Sequence, residues 1–179
     1  MSQFSQIKAN AIRWFLNFSF GRWLMRTAIT FIVPKHRIGV NVVCIDANNH
    51  ILLLKHVFHP LAPWGLPGGW MDRNESPAEC AARELREETG ITEVVSGEVI
   101  YMSRNPGPDH IIIIYLIEVD SVQPETVIDG VEITDSRWIL PNDVPDLLTY
   151  ETIFAMKKTW EKRNLEFDYP SHQMAPGSF

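Results

Sequence analysis

The stretch from Gly69 to Ile91 restricts the fold of this chain more than any other. Ser76 is a good N-cap, Pro77 suits the first helical position, and Glu79 stands three residues past Ser76, the spacing of a reciprocal capping box. Gly90 supplies the stop, because a residue without a Cβ turns left-handed at little cost just past a last turn. Local chemistry therefore predicts a helix over residues 77–89. At about 100° per residue, Ala78, Ala81, Ala82, Leu85 and Thr89 form a small, mostly apolar stripe. Glu84, Glu87 and Glu88, spaced i, i+3 and i+4, are neighbours on another side.

Three carboxylates so placed repel one another, and Glu87 and Glu88 lie toward the helix C-terminus, where the macrodipole disfavours negative charge. One reading is a solvated acidic face relieved by Arg83 and Arg86. The other is a site for a hard divalent cation, since Mg²⁺ takes oxygen ligands and is usually held by a few carboxylates together with substrate phosphates.

The wider pattern favours the cation. Gly69, five residues, Glu75, seven residues, then Arg83-Glu84-Leu85, Glu87-Glu88 and Gly90-Ile91 resembles the signature box of the Nudix hydrolases at every fixed position. The resemblance is tight across the box and looser over roughly residues 38–165. It implies an α/β fold, a Nudix-type α/β/α sandwich with a mixed β-sheet beside which the box forms a loop, helix and loop. It also implies a pyrophosphatase dependent on Mg²⁺ or Mn²⁺ that cleaves the diphosphate linkage of a nucleoside diphosphate derivative.

Carried over by position, Glu84, Glu87 and Glu88 are the implied metal ligands, with the backbone carbonyl of Gly68 as a further one. Arg83 would hold the carboxylate array by ion pairing, and Glu75 would support the loop-to-helix junction between Gly69 and Gly90. A diphosphate carries dense negative charge and resists attack by neutral water, so catalysis should be mostly positioning and charge neutralisation. A carboxylate accepts the water's proton. In some family members it lies in the helix, where Glu84 is the candidate, and in others on a downstream loop; the choice stays open. Glu132 is the first candidate for a downstream ligand or base and Asp129 the second, with a plain surface acid as the alternative for either.

Substrate recognition is less legible. A nucleotide sugar such as ADP-ribose is the first expectation, because Pro106 stands where relatives acting on ADP-ribose often have a proline. An oxidised nucleoside triphosphate and a dinucleoside polyphosphate are the alternatives. A non-catalytic regulatory module and an isomerase on the same scaffold are opposed by the intact box. Trp64, in the loop chemistry of residues 60–69, is read as stacking on a base or packing beneath the loop. Arg104 and His110 flank a turn-rich loop and are candidates for phosphate or sugar contact. His56 and His59 are read as loop residues.

The rest of the chain reads as one hydrolase domain over residues 37–165, with an N-terminal extension before it and a tail over 166–179. Residues 38–45 and 51–54 form a hairpin about the turn composition of residues 46–50. Strands follow at 99–102 and 111–119, another after residue 132, and a terminal helix over 150–163 with Ile153, Phe154, Met156 and Trp160 inward. The net charge of −6 argues against bulk attraction to nucleic acid. Two cysteines, Cys44 and Cys80, suit a reducing cytoplasm rather than a disulfide scaffold.

The charge is unevenly spread. Residues 1–45 hold six Lys or Arg and no acid, whereas the remaining 134 hold 10 basic and 22 acidic residues, a balance of −12. Residues 4–33 are rich in large apolar groups and predict a helical extension (residues 1–36), with a break at Gly21 and a stop before Pro34. Arg13, Arg22 and Arg26 interrupt it too often for a bilayer span. It reads as helix packed on the hydrolase domain or on a second subunit of a homodimer. The alternative is a basic amphipathic helix in peripheral contact with a membrane surface.

Overall fold

The computed structural model describes residues 14, 17–32, 36–105, 110–128 and 130–170. The expectations placed on Pro106 and Asp129 lie outside the described residues. The chain divides into two units, Met1–His36 and Arg37–Phe179.

The first unit contains helix α1, Ser19–Ile32. It runs unbroken through Gly21, contrary to the expected break. A single glycine costs a helix only about 1 kcal/mol, which continuous backbone bonding offsets. The turn lies earlier, where Asn17 N–H donates to Trp14 O (3.2 Å) and Arg22 Nη1 donates to Asn17 O (3.1 Å).

The second unit is built on a seven-stranded sheet. Its strands are β1 (Arg37–Ile45), β2 (Ile51–His56), β3 (Trp64–Gly65), β4 (Gly68–Trp70), β5 (Ser96–Asn105), β6 (His110–Glu118) and β7 (Ile133–Ile139). The order is β3-β2-β1-β6-β5, with β4 also on β1 and β7 also on β2. Strands β1 and β6 pair in parallel from Arg37↔His110 to Ile45↔Glu118, and the other pairs are antiparallel. The sheet is therefore mixed, as expected.

Helix α2 (Pro77–Thr89) covers one face and helix α3 (Tyr150–Lys162) belongs to the core on the other. The period of two along each strand divides the core. Val40, Val42, Cys44, Leu52 and Leu54 join Cys80, Ala81 and Leu85 of α2. Val43, Ile45, Ile51 and Leu53 join Ile153, Met156 and Trp160 of α3. Strands covered on both faces read as continuous apolar runs, which is why β1 and β2 stand out in the sequence. Phe154, expected inward, is half-buried at the margin, with its ring 4.6 Å from that of Tyr101.

Asp46 closes the β1–β2 hairpin. Its carboxylate accepts from Asn48 N–H (2.8 Å), His50 N–H (2.8 Å) and Gln123 N–H (3.0 Å), and lies 2.8 Å from His50 Nδ1. In the segment read as a tail, buried Phe167 packs on Trp160 with ring centroids 4.8 Å apart, and Tyr169 Oη donates to Pro145 O (2.9 Å). Cys44 and Cys80 are free and buried, and burial pushes both thiols up to about 12.

The apolar arc of α2 is rotated from its expected centre. Cys80, Ala81, Leu85 and Thr89 are buried, whereas Ala78 and Ala82 are exposed. The shift tilts the glutamate face toward the sheet, so Glu84 and Glu88 sit half-buried at its margin. Room for them comes from the glycines of β4.

Candidate active site

The site forms where α2 crosses β4. Strand β4 pairs with β1 as Gly39↔Trp70, Val40↔Gly69 and Asn41↔Gly68. A Cβ on Gly69 would lie 2.7 Å from Glu84 Oε2 and 2.5 Å from its Cδ, so the glycine leaves the space that the carboxylate fills. One turn along the same helix face, Gly68 N–H donates to Glu88 Oε2 (2.9 Å).

The helix is positioned by the caps expected for it. Glu79 N–H donates to Ser76 Oγ (3.3 Å) and Ser76 N–H to Glu79 Oε2 (2.7 Å). Gly90, at φ 74°, returns its N–H to Arg86 O. Arg83 is the hub. Its Nε and Nη2 donate to the two oxygens of Glu75 (2.8 and 3.0 Å), Nη2 also to Trp70 O (3.0 Å), and Nη1 to Glu84 Oε1 (2.8 Å) and Glu87 Oε2 (3.2 Å).

These contacts separate the carboxylates electrostatically. The bidentate Arg83 bond, the larger effect, together with the Asp72 N–H, holds the Glu75 carboxyl at about 2. Burial raises the Glu84 carboxyl, against the opposing pull of Arg83. A carboxyl held low contributes stability that is complete above its unfolded value and disappears as pH falls through the folded one. Glu75→Gln is therefore expected to destabilise the fold by about 2 kcal/mol near neutrality. The difference from wild type should close between pH 4.5 and about 2 in urea titrations at a series of pH values.

Glu84, Glu87, Glu88, Gly68, Gly69, Glu132 and Trp64 all line one cleft of ≈ 760 Å³. Seven of the residues singled out from sequence thus meet there, with Glu75 and Arg83 bracing α2 beside it. Trp64 is buried in the core, with the Arg137 guanidinium 4.5 Å over its ring, so it packs beneath the loop. Arg104 and His110 are not among the described residues that line the cleft. His110 is buried, with its ring edge-on to Trp70 at 5.2 Å.

The cleft also holds residues that read as loop in the sequence. His56 and His59 line it, with ring centroids 5.7 Å apart. Burial, with the neighbouring His59 as the lesser cause, holds the His56 imidazole below its ordinary range. A register shift at Lys55/His56 against β7 re-aims the end of β2, as such irregularities do. Exposed Phe58 and Trp70, together with Asn41 and Glu151, also line the cleft. The His56-x-x-His59 spacing was visible in the sequence; Asn41 and Glu151 reach the cleft by topology and had no local signal.

Five glutamates, at 84, 87, 88, 132 and 151, therefore face one space. A phosphate oxygen about 5 Å from one carboxylate is opposed by about 3 kcal/mol at an effective dielectric of about 20. A diphosphate enters such a cleft only with cations. Among the described residues no group of three or more His, Cys, Asp or Glu side chains converges closely enough to hold a metal ion as the side chains stand. Arg83 and Gly68 N–H hold the carboxylates apart. The donor set nevertheless fits Mg²⁺ or Mn²⁺, being all hard oxygen and carrying more negative charge than Arg83 neutralises.

The NUDIX domain model matches residues 35–158. A Bacillus subtilis (strain 168) protein provisionally named an 8-oxo-dGTP diphosphatase is 32% identical over 107 residues, covering 60% of this chain and 68% of that protein. The NAD-capped RNA hydrolase NudC of Vibrio parahaemolyticus is 28% identical over 114 residues, covering 63% of this chain but 42% of its own length. Among solved structures, the Nudix domain of Shewanella oneidensis NrtR, crystallised with ADP-ribose, superposes with a TM-score of 0.60 at 21% identity, over 73% of this chain and 90% of that one. The chain belongs to the Nudix family, whose hydrolases act on phosphorus-containing anhydrides and generally use a divalent metal such as Mg²⁺ or Mn²⁺. The sandwich expected from sequence is the fold of its structural neighbours.

Proposed function

We propose that this chain is a divalent-cation-dependent pyrophosphohydrolase of a nucleoside diphosphate derivative, with a nucleotide sugar such as ADP-ribose as its first substrate. The observation that carries this reading is the meeting of Glu84, Glu87, Glu88 and the Gly68–Gly69 backbone on one cleft. Glu84, Glu87, Glu88 and the Gly68 carbonyl would hold Mg²⁺ or Mn²⁺. Bound there, the metal neutralises phosphate charge and supplies a nucleophilic water at neutral pH.

The chain's own groups do the rest. Arg83 ties Glu84 and Glu87 to Glu75 and so anchors the carboxylate array on α2. Glu84 and Glu132 both line the cleft, which supports either as the carboxylate that takes the water's proton. Exposed Trp70 and Phe58 offer ring faces to a base. His56, whose burial disfavours the charged imidazole, offers a ring nitrogen to hydrogen-bond a ligand in the cleft.

Two features support ADP-ribose: the proline at position 106, and a cleft volume within the range that takes a whole nucleotide ligand. The Bacillus relative supports a second reading, an oxidised nucleoside triphosphate. Incubation with Mg²⁺ and a panel of ADP-ribose, a second nucleotide sugar, 8-oxo-dGTP, a dinucleoside polyphosphate and NADH, reading out released monophosphate, tests both. Turnover should be highest on ADP-ribose and should vanish with a chelator. Preferred turnover of 8-oxo-dGTP moves the substrate to the second reading. No turnover on the whole panel with either cation would leave the catalytic reading without support, as expected of a binding module.

A further inference from the structure

We propose that helix α1 docks this protein on an anionic phospholipid surface, lying in the interface rather than crossing it. This inference is independent of the substrate, because the family match begins at residue 35, after α1.

The described side chains of α1 leave large apolar groups in water. Phe20 is 65% exposed, Trp23 60%, Leu24 43% and Met25 41%, and Trp14 and Phe18 just before the helix are exposed as well. Phe20 and Trp23 stack on each other at 5.9 Å, and Trp14 meets Phe18 edge-on at 5.0 Å, so the rings form clusters rather than scattered single residues. Contiguous exposed apolar clusters of this kind mark an interaction surface. Arg22 and Arg26 are exposed one turn apart on the same helix.

Charge identifies the occupant. Residues 1–45 carry six Lys or Arg and no acid, while the remainder is at −12, so the net positive charge of the chain lies in this stretch. A second copy of α1 laid against the first would bring two acid-free cationic segments together, which like-charge repulsion opposes. A phospholipid surface offers both complements at once: phosphate and carboxylate headgroups for the arginines, and the acyl boundary for Trp and Phe, which favour that depth. At 14 residues α1 is about 21 Å long, short of the roughly 30 Å hydrocarbon core. No described helix is long and apolar enough to cross a membrane. Arginine stems reach upward from such a position to keep their charge among the headgroups.

The test uses the full chain and vesicles of phosphatidylcholine alone or with about 30 mol % phosphatidylserine, floated through a density gradient. The protein should rise with the phosphatidylserine vesicles, stay behind with pure phosphatidylcholine, and be released by about 0.5 M salt. Arg22→Glu with Arg26→Glu should weaken partitioning by about 30-fold or more, and Phe20→Ser with Trp23→Ser should also abolish flotation. In both variants turnover of soluble substrate should match wild type. Wild-type protein that stays at the bottom of the gradient overturns the proposal. Equal flotation with both lipid compositions overturns it too, as does a double-arginine variant that floats like wild type. If light scattering shows a dimer that the Phe20/Trp23 variant dissolves, a second copy covers the helix and the proposal is wrong.

Discussion

Glu87→Gln and Glu88→Gln are each expected to lower kcat by about 10²-fold or more, while the protein stays folded. Glutamine keeps the length and one carbonyl oxygen of glutamate, so at position 88 it can still accept the Gly68 N–H that Glu88 Oε2 accepts now at 2.9 Å. At position 87 the side chain is 53% exposed, and its contact with Arg83 at 3.2 Å is a surface pair, worth at most about 1 kcal/mol. What each substitution removes is one unit of negative charge facing the cleft. A loss of 10² corresponds to about 2.7 kcal/mol of transition-state stabilisation, a reasonable share of what a metal ligand supports. Glu98→Gln is the control, since Glu98 pairs with Lys162 at 2.7 Å and is not among the described residues that line the cleft. Unchanged turnover in both box variants would mean that the helix carboxylates do not serve the reaction.

The two adjacent glycines should fail in different ways. At Gly69 an added Cβ meets the carboxylate of Glu84, the far end of a flexible side chain. Glu84 can swing away, so Gly69→Ala should cost about 1 kcal/mol of stability, at the low end of overpacking. Its turnover should fall by about 10-fold or more, because displacing a positioned group by an ångström or so is costly. At Gly68 the added Cβ meets backbone instead, overlapping Val40 O and lying 2.9 Å from Asn41 Cα. Strand β1 is held along its whole length by β6 and has little room to yield, so Gly68→Ala should destabilise by about 3 kcal/mol. Melting curves and initial rates on the two variants separate the effects. Equal losses of stability in both would show that Glu84 is not free to move.

The parts of this molecule that were legible in the sequence are those whose causes are local. Ser76, Pro77, Glu79 and Gly90 set the ends of α2 through bonds within a few residues, and the helix spans Pro77–Thr89 as predicted. The hairpin turn at Asp46 is likewise made largely by near neighbours. Strands β3 and β4 read as loop in the sequence because two or three residues carry no periodicity; they exist only through pairing with β2 and β1. Strand β5 extends to Ser96 and Asn105, beyond its apolar centre, because β6 supplies partners along its length.

Within the site, spacing put Glu84, Glu87 and Glu88 on one helix, but the tilt that half-buries Glu84 depends on Gly69 across the sheet. His110 looked like a loop-end contact. Its register opposite Arg37 and its packing beside Trp70 come from the parallel crossover, which no local pattern encodes. His56 shows the converse: it reads as loop in the sequence, yet a strand irregularity lies where it lines the cleft.

On the proposed reading, the glutamates of α2 bind cations between themselves and a phosphate chain. Electron paramagnetic resonance of Mn²⁺, titrated with the full chain and a non-cleavable ADP-ribose analogue, measures this directly. Wild-type protein should quench the free-ion signal, and the variant Glu84→Gln, Glu87→Gln, Glu88→Gln should leave it nearly intact. Equal quenching by the two proteins would place the cation elsewhere and overturn that reading.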